Sequence, residues 1–407
     1  MNHYMKFDVI DKKVIIRIKE KICDTSEELL SSKLFKVIVK RCINQLSDRD
    51  SILLDIFKTR PVSDAEIDTL IAAYNILYKM PADTIPNIIP ASATLFEKPA
   101  LFHEFTEYLY NFWRSYFRII ICDSEGDRLD SRPYRTFNLT IQQLTSTVRR
   151  TYRDAIENLT GKHPQVYRQV IAGAEIATIA LPRDIPYPAL YKELNVVPII
   201  RQVLLHPPLI MDPPMNKRTG SFKKVDKNPM DLITVNKKDW LCYPAKVGDL
   251  LVFLYMHKSF YELGLSLCNL FELAGEADFT RKPDAVYIFG VETDLQDYYG
   301  SPTIFHDDTE NDILVAAAPN HPDFGYFGYI KKMMLTLYNA KKMKNGLMPF
   351  HGALVKIILN GGVQANVLII GDSGAGKSET LTALDEVSEG NIQDMVVIAD
   401  DMGSIDF

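Results

Sequence analysis

Apolar positions recur at helical spacing through most of the first 160 residues and fall into short, turn-bounded runs after that. Val14-Ile15-Ile16-Arg17-Ile18, within Val9 to Ile18, reads as a short strand. Asp24-Thr25-Ser26-Glu27 then offers cap chemistry for an amphipathic helix from Leu29 to Leu46. Ser63-Asp64-Ala65-Glu66 opens a second helix that ends before Pro81. A third, Pro99 to Phe117, carries an aromatic stripe of Phe102, Phe105, Tyr108, Tyr110, Phe112, Trp113, Tyr116 and Phe117. Such a stripe serves either as helix core or domain interface, or as a ligand-binding surface. Thr140 to Leu159 reads as a fourth helix, stopped at Gly161.

The pattern changes after Tyr167. Val170-Ile171-Ala172-Gly173 and Ile176 to Ala180 are strand-like, and a proline-rich turn follows through Pro182, Pro186 and Pro188. Apolar runs then alternate with helical periods at Asp249 to Tyr255, Ser259 to Ala274, Val286 to Val291 and Ile313 to Ala318. The expected fold is α/β in three parts: a mainly helical N-terminal region (1–160), a mixed α/β domain (161–320) and the start of a phosphate-loop nucleotide-binding domain (321–407). Pro207 to Gly220 is rigid, then basic; it is either a structural loop or an anion-binding one in which Arg218 offers a two-pronged donor.

Composition narrows the classes. The chain has 407 residues, 47% apolar and 24% charged, in the range of an ordinary globular protein and unlike a coiled coil or a disordered chain. Its 46 Lys and Arg against 52 Asp and Glu give a net charge of −6, which offers no footprint for nucleic acid. The five cysteines lie far apart with no Cys-x-x-Cys pair, so neither a zinc knuckle nor a disulfide framework is expected. The first eight residues lack the apolar core of a signal peptide, and no apolar run is long enough to span a membrane. A reduced, cytoplasmic protein is the expectation.

The chemistry concentrates near the end of the chain. Val367-Leu368-Ile369-Ile370 is an apolar run suited to a buried parallel strand. Gly371-Asp372-Ser373-Gly374-Ala375-Gly376-Lys377-Ser378 matches G-x-x-x-x-G-K-[ST] at every fixed position, and Glu379 to Leu384 reads as the first turns of a helix. In such a loop, backbone N–H groups and the helix start create an anion-binding concavity. Lys377 would reach the β- and γ-phosphates of ATP, and Ser378 would help hold Mg²⁺. A second apolar run, Met395 to Ala399, ends in Asp400 and Asp401. At the carboxyl edge of a sheet, Asp401 could bind a divalent cation while Asp400 orients water or acts as a base.

The loop from Gly371 to Glu379, with Ala399-Asp400-Asp401, resembles that of the bacterial HPr kinase/phosphorylase family. The preceding segment resembles ATP-dependent phosphoenolpyruvate carboxykinase: Tyr326-Phe327-Gly328-Tyr329-Ile330-Lys331-Lys332 is similar to its tyrosine and paired-lysine stretch, and Met348-Pro349-Phe350-His351-Gly352 to its Met-His segment. The order Tyr, Lys-Lys, His, phosphate loop, Asp-Asp holds over Tyr326 to Asp401. By itself a lysine pair is most often a solvated helix face, and a single histidine is often structural.

The carboxykinase resemblance implies a P-loop domain of that type and a gluconeogenic, ATP-dependent lyase that converts oxaloacetate to phosphoenolpyruvate, CO₂ and ADP. It implies Mn²⁺ held by Lys332, His351 and Asp401; an amine coordinates only when neutral, which the cation and neighbouring Lys331 would favour. It further implies that Lys331 contacts the transferring phosphoryl group, that Tyr326 packs against phosphoenolpyruvate, and that Arg218 stands for a substrate-binding arginine.

Ser378-Glu379 replaces the family's usual Thr-Thr, Gly352 stands where it has cysteine, and Asp400-Asp401-Met402-Gly403 lacks its following Glu-His. These differences keep two alternatives open: an HPr kinase-type protein serine kinase, and a non-catalytic nucleotide-binding or sensory module. Both families carry further strands beyond the acidic pair, so a longer protein than the six residues after Asp401 is expected.

Overall fold

The computed structural model describes residues 6–19, 22–124, 133–218, 220–371, 376, 379–380, 383–384, 386, 390–399 and 402–406, the side chains of 133–136 excepted. The architecture is mixed α/β, in two compact units: residues 1–182 with 198–212, and 183–197 with 213–407.

In the first unit, β1 (Lys6–Ile10), β2 (Lys13–Ile18), β3 (Phe117–Cys122), β4 (Ile176–Leu181) and β5 (Ile199–Leu205) pair in that order. β2, β3 and β4 are parallel; β1 and β5 close the row antiparallel. The helices are α1 (Ser26–Leu30), α2 (Lys33–Asp48), α3 (Asp64–Leu77), the short α4 (Ile85–Ile88) and α5 (Ala93–Glu97), α6 (Pro99–Arg114) and α7 (Pro133–Thr160).

Three sequence expectations need correction here. The Leu29 to Leu46 helix breaks at Ser31 and Ser32, because the Ser32 hydroxyl accepts from the Phe35 amide and caps a new helix. The aromatic helix stops at Arg114, and Phe117 opens β3, which lies next to β2 in the sheet. Val170 to Gly173 is not a strand: the Ala172 carbonyl accepts from the Trp113 indole at 2.7 Å instead of from a neighbouring strand. The α3 cap is a full capping box of Ser63 and Glu66. Phe102, Phe105 and Phe112 of the aromatic stripe are core residues.

In the second unit, β6 (Lys223–Val225), β7 (Trp240–Val247), β8 (Leu250–His257), β9 (Glu272–Leu273), β10 (Ala285–Val291), β11 (Ile304–Asp308) and β12 (Ile313–Pro319) form one sheet, ordered β7-β8-β10-β12-β11-β6 with β9 on β7. The runs read as strands at Asp249, Val286 and Ile313 are β8, β10 and β12, mutually parallel. Ser259 to Ala274 is not one helix but α8 (Tyr261–Leu265) between short 3-10 turns, ending in β9. α9 (Leu295–Tyr299) and α10 (Phe327–Lys344) follow.

A smaller sheet completes this unit: β13 (Met348–Leu359) lies between β14 (Gln364–Ile370) and β15 (Ile392–Ala399), and its first residues also pair with β16 (Met402–Ile405). Ala353, Val355 and Ile357 bury one face of β13 against Val367, Ile369, Leu384 and Met395. Among the described residues no helix is long and apolar enough to cross a membrane. All five cysteines are free thiols.

Candidate functional site

β13 organises the end of the chain that carries the phosphate-loop pattern. Both β14 and β15 run antiparallel to it, so they are parallel to each other without being neighbours. The expectation of a buried parallel strand at Val367–Ile370 is therefore corrected: β14 pairs antiparallel, and Ile370 is 60% exposed. Because Gly352 pairs with Ile370 and Leu354 with Ala399, the carboxyl ends of β14 and β15 meet at the same end of the sheet.

His351 lies at that meeting point. Its carbonyl accepts from the Gly371 amide at 3.4 Å, and it pairs in register with Met402, the residue after the acidic pair. Gly371 and Met402 thus both lie beside the same histidine, while Ala399 pairs with Leu354 three residues further on. Gly352 permits this approach: a Cβ there would stand 2.3 Å from the Ile369 carbonyl oxygen. That contact gives a physical reason for glycine at a position where the resembled family carries cysteine.

Gly376 has φ of +78°, a left-handed conformation that favours glycine. Its carbonyl accepts from the Thr380 amide at 2.8 Å, the first bond of a helical turn, and residues 379–380, 383–384 and 386 are helical. Glu379 is exposed, and Leu384 packs on the β13 face. Among the described residues β14, Gly376 in its left-handed conformation and the helical residues from Glu379 follow one another. Asp372, Ser373, Gly374, Ala375, Lys377, Ser378, Asp400 and Asp401 lie outside the described residues.

α10 carries the other candidates. Tyr326 is its N-cap residue, and Lys331 and Lys332 are half-buried in its second turn. The Tyr326 ring covers Gly328, where an added Cβ would fall 2.2 Å from Cε1. Further along, α10 packs on β13 and β16: the Tyr338 hydroxyl lies 3.0 Å from that of Ser404, and the Asn339 amide donates to the Met402 sulfur at 3.4 Å. Asn339 thus marks the level of His351's register partner, and Lys332 lies seven residues earlier, about 10 Å along the helix axis. A second lysine pair, Lys341 and Lys342, is structural: the amines are buried against Asp312 at 2.7 Å and Asp249 at 2.6 Å.

The basic loop meets the start of α10. The Met215 amide donates to the Gly325 carbonyl at 3.4 Å, and the Gly220 amide to the Tyr329 hydroxyl at 3.3 Å. Arg218 holds its guanidinium 4.9 Å from the Phe222 ring centre. It also acts electrostatically on Tyr287, whose hydroxyl donates to the Tyr329 carbonyl at 3.4 Å. Burial pushes the Tyr287 hydroxyl well above its ordinary range, and Arg218 pulls the other way. The fold therefore brings the Arg218 loop to the first turn of the helix that bears Tyr326, Lys331 and Lys332. Gly220, Gly328 and Tyr329 were not singled out from sequence for these roles; the glycines flanking Tyr326 were the available signal.

Among the described residues no three His, Cys, Asp or Glu side chains cluster to hold a metal ion. The ligand set expected from the carboxykinase resemblance includes a lysine, Lys332, and one residue outside the described ones, Asp401. No protein-family model matches the chain, and no curated protein matches its sequence.

Proposed function

We propose that the chain binds ATP with Mg²⁺ at Gly371–Ser378 and transfers the γ-phosphoryl group in a phosphoenolpyruvate carboxykinase-like reaction. The observation that carries this reading is that His351 accepts from Gly371, the first residue of the loop pattern, and pairs with Met402, the residue after Asp400 and Asp401. Phosphoryl transfer needs a phosphate cradle and acidic groups for a cation at one sheet edge, and little covalent chemistry from the protein.

The donor types suit a divalent cation. The Asp401 carboxylate is a hard oxygen donor, and the His351 imidazole and a neutral Lys332 amine are borderline nitrogen donors, a mixture Mn²⁺ accepts, while a Ser378 hydroxyl suits Mg²⁺. When bound, the cation would supply charge stabilisation for the enolate left by CO₂ loss. Breaking the C–C bond of oxaloacetate leaves its electron pair in that enolate, whose oxygen attacks the γ-phosphorus as ADP departs. Arg218 would hold a substrate carboxylate, Tyr326 would pack against phosphoenolpyruvate, Lys331 would neutralise the moving phosphoryl oxygens, and Asp400 would orient water at the cation.

Calorimetric titration of the protein and its Lys377→Ala variant with ATP and Mg²⁺ tests the nucleotide site. Binding by the parent and loss of at least about tenfold in affinity by the variant are expected. Equal affinity in the two, or no binding by the parent, overturns the reading.

A further inference from the structure

The first unit contains a cavity of about 120 Å³ among its helices, lined by Ile16, Leu34, Ile38, Leu109, Val148 and Ala155. The lining hydroxyls of Tyr74, Thr106 and Thr151 already have partners. The Thr106 hydroxyl donates to the Phe102 carbonyl at 2.8 Å and lies 2.9 Å from the Tyr74 hydroxyl. The Thr151 hydroxyl donates to the Thr147 carbonyl at 2.8 Å and lies 2.7 Å from that of Ser26. Water needs two to four polar partners to settle in a cavity, so this one suits an apolar group, and a space of this order accommodates about a six-carbon body.

One side of the lining is half-exposed and aromatic: Tyr110, Trp113 and Tyr152, with the Tyr110 and Tyr152 rings stacked 3.8 Å apart. Arg114, Arg149, Arg153 and Arg118 all lie close enough to act on the Tyr110 hydroxyl. Arg118 is taken up by the buried Glu175. Arg114 donates only to neutral oxygens, Asn111 Oδ1 at 3.3 Å and the Ile171 carbonyl at 3.4 Å. Arg153 donates to the Arg168 carbonyl at 3.1 Å and faces the Tyr167 ring. Among the described residues none of Arg114, Arg149 and Arg153 has a carboxylate within ion-pair distance. Glu107, also on this side, accepts from the Tyr152 hydroxyl.

We infer that this unit binds a small amphiphilic carboxylate, its apolar body in the cavity and its anionic end at the arginines around Tyr110. Arg114 and Arg149, with no carboxylate within ion-pair distance among the described residues, stand beside a dry apolar cavity and complement a molecule with those two ends, and a carboxylate matches the planar guanidinium fork. The aromatic helix α6 then serves both uses open to such a stripe: Phe102, Phe105 and Phe112 form core, while Tyr110 and Trp113 face the ligand. The inference is independent of the phosphate loop.

Titration of the full chain with hexanoate, 1-hexanol and acetate tests it. Hexanoate should bind saturably at one site, hexanol about fivefold or more weaker, and acetate not at all. The exposed-side double variant Arg114→Gln/Arg149→Gln should lose about tenfold for hexanoate and nothing for hexanol. Ala155→Leu, which fills the cavity, should abolish both, with a cooperative thermal transition showing that it still folds. Absence of hexanoate binding, equal affinity for hexanoate and hexanol, or hexanoate binding that survives in folded Ala155→Leu each overturns the inference.

Discussion

The Gly371 amide donates to the His351 carbonyl at 3.4 Å, which ties the first residue of the phosphate-loop pattern to a histidine 20 positions earlier. The same histidine pairs with Met402, so one residue of β13 is shared by the two segments on which nucleotide chemistry would depend. The proposed function rests on that shared position.

Gly352 sets the spacing of the two strands. In Gly352→Cys the new Cβ would press on the Ile369 carbonyl oxygen, a backbone atom that cannot swing aside. The expected cost is about 1–3 kcal/mol in urea unfolding, accompanied by weaker ATP binding because the loop entry is displaced. A variant with unchanged stability and unchanged ATP affinity would show that this approach does not matter.

Gly328→Ala should behave in the opposite way. The half-exposed Tyr326 ring can turn outward, and alanine favours the helix by about 1 kcal/mol, so stability should hold or rise. The ring would no longer lie over the first turn of α10, and the KM for oxaloacetate should rise about tenfold with little change in ATP binding. Steady-state kinetics beside a thermal melt measures both; unchanged KM would remove Tyr326 from the site.

Acid should act through Glu66. Burial alone would raise its carboxyl, but hydrogen bonds from Thr59, Ser63 and Lys58 outweigh this and hold it at about 2, against an ordinary 4.5. A depressed carboxylate contributes stability above its unfolded value and loses it as pH falls through the folded one. The stability advantage of the parent over Glu66→Gln should therefore be constant above about pH 4.5 and shrink toward pH 2. Urea titrations of both proteins across that interval check the sign; an advantage that grows on acidification would contradict it.

What the sequence disclosed was local. The Ser63–Glu66 cap is dictated by neighbours in the chain, and the capping box matches that reading. The separation of α1 from α2 hid behind a continuous apolar period, because a single serine hydroxyl decides it. β3 hid behind the aromatic period of α6, which runs on into Phe117. The position of β13 between β14 and β15 depends on pairing across long sequence separations, which periodicity does not encode. The seating of the Arg218 loop on α10 is of the same kind: it follows from backbone contacts at Gly220 and Gly325.

The most direct measurement is a coupled assay for phosphoenolpyruvate with full-length protein, oxaloacetate, ATP and Mn²⁺, beside a radiolabel assay for phosphate on a partner protein's serine. Phosphoenolpyruvate and CO₂ are expected in equal amounts with no protein phosphorylation, and Lys331→Met should lose about a hundredfold or more in kcat while keeping ATP affinity within about threefold. Protein that binds ATP yet forms no phosphoenolpyruvate contradicts the proposed function: labelled serine would point to the HPr kinase-type reaction, and silence in both assays to a nucleotide-binding module.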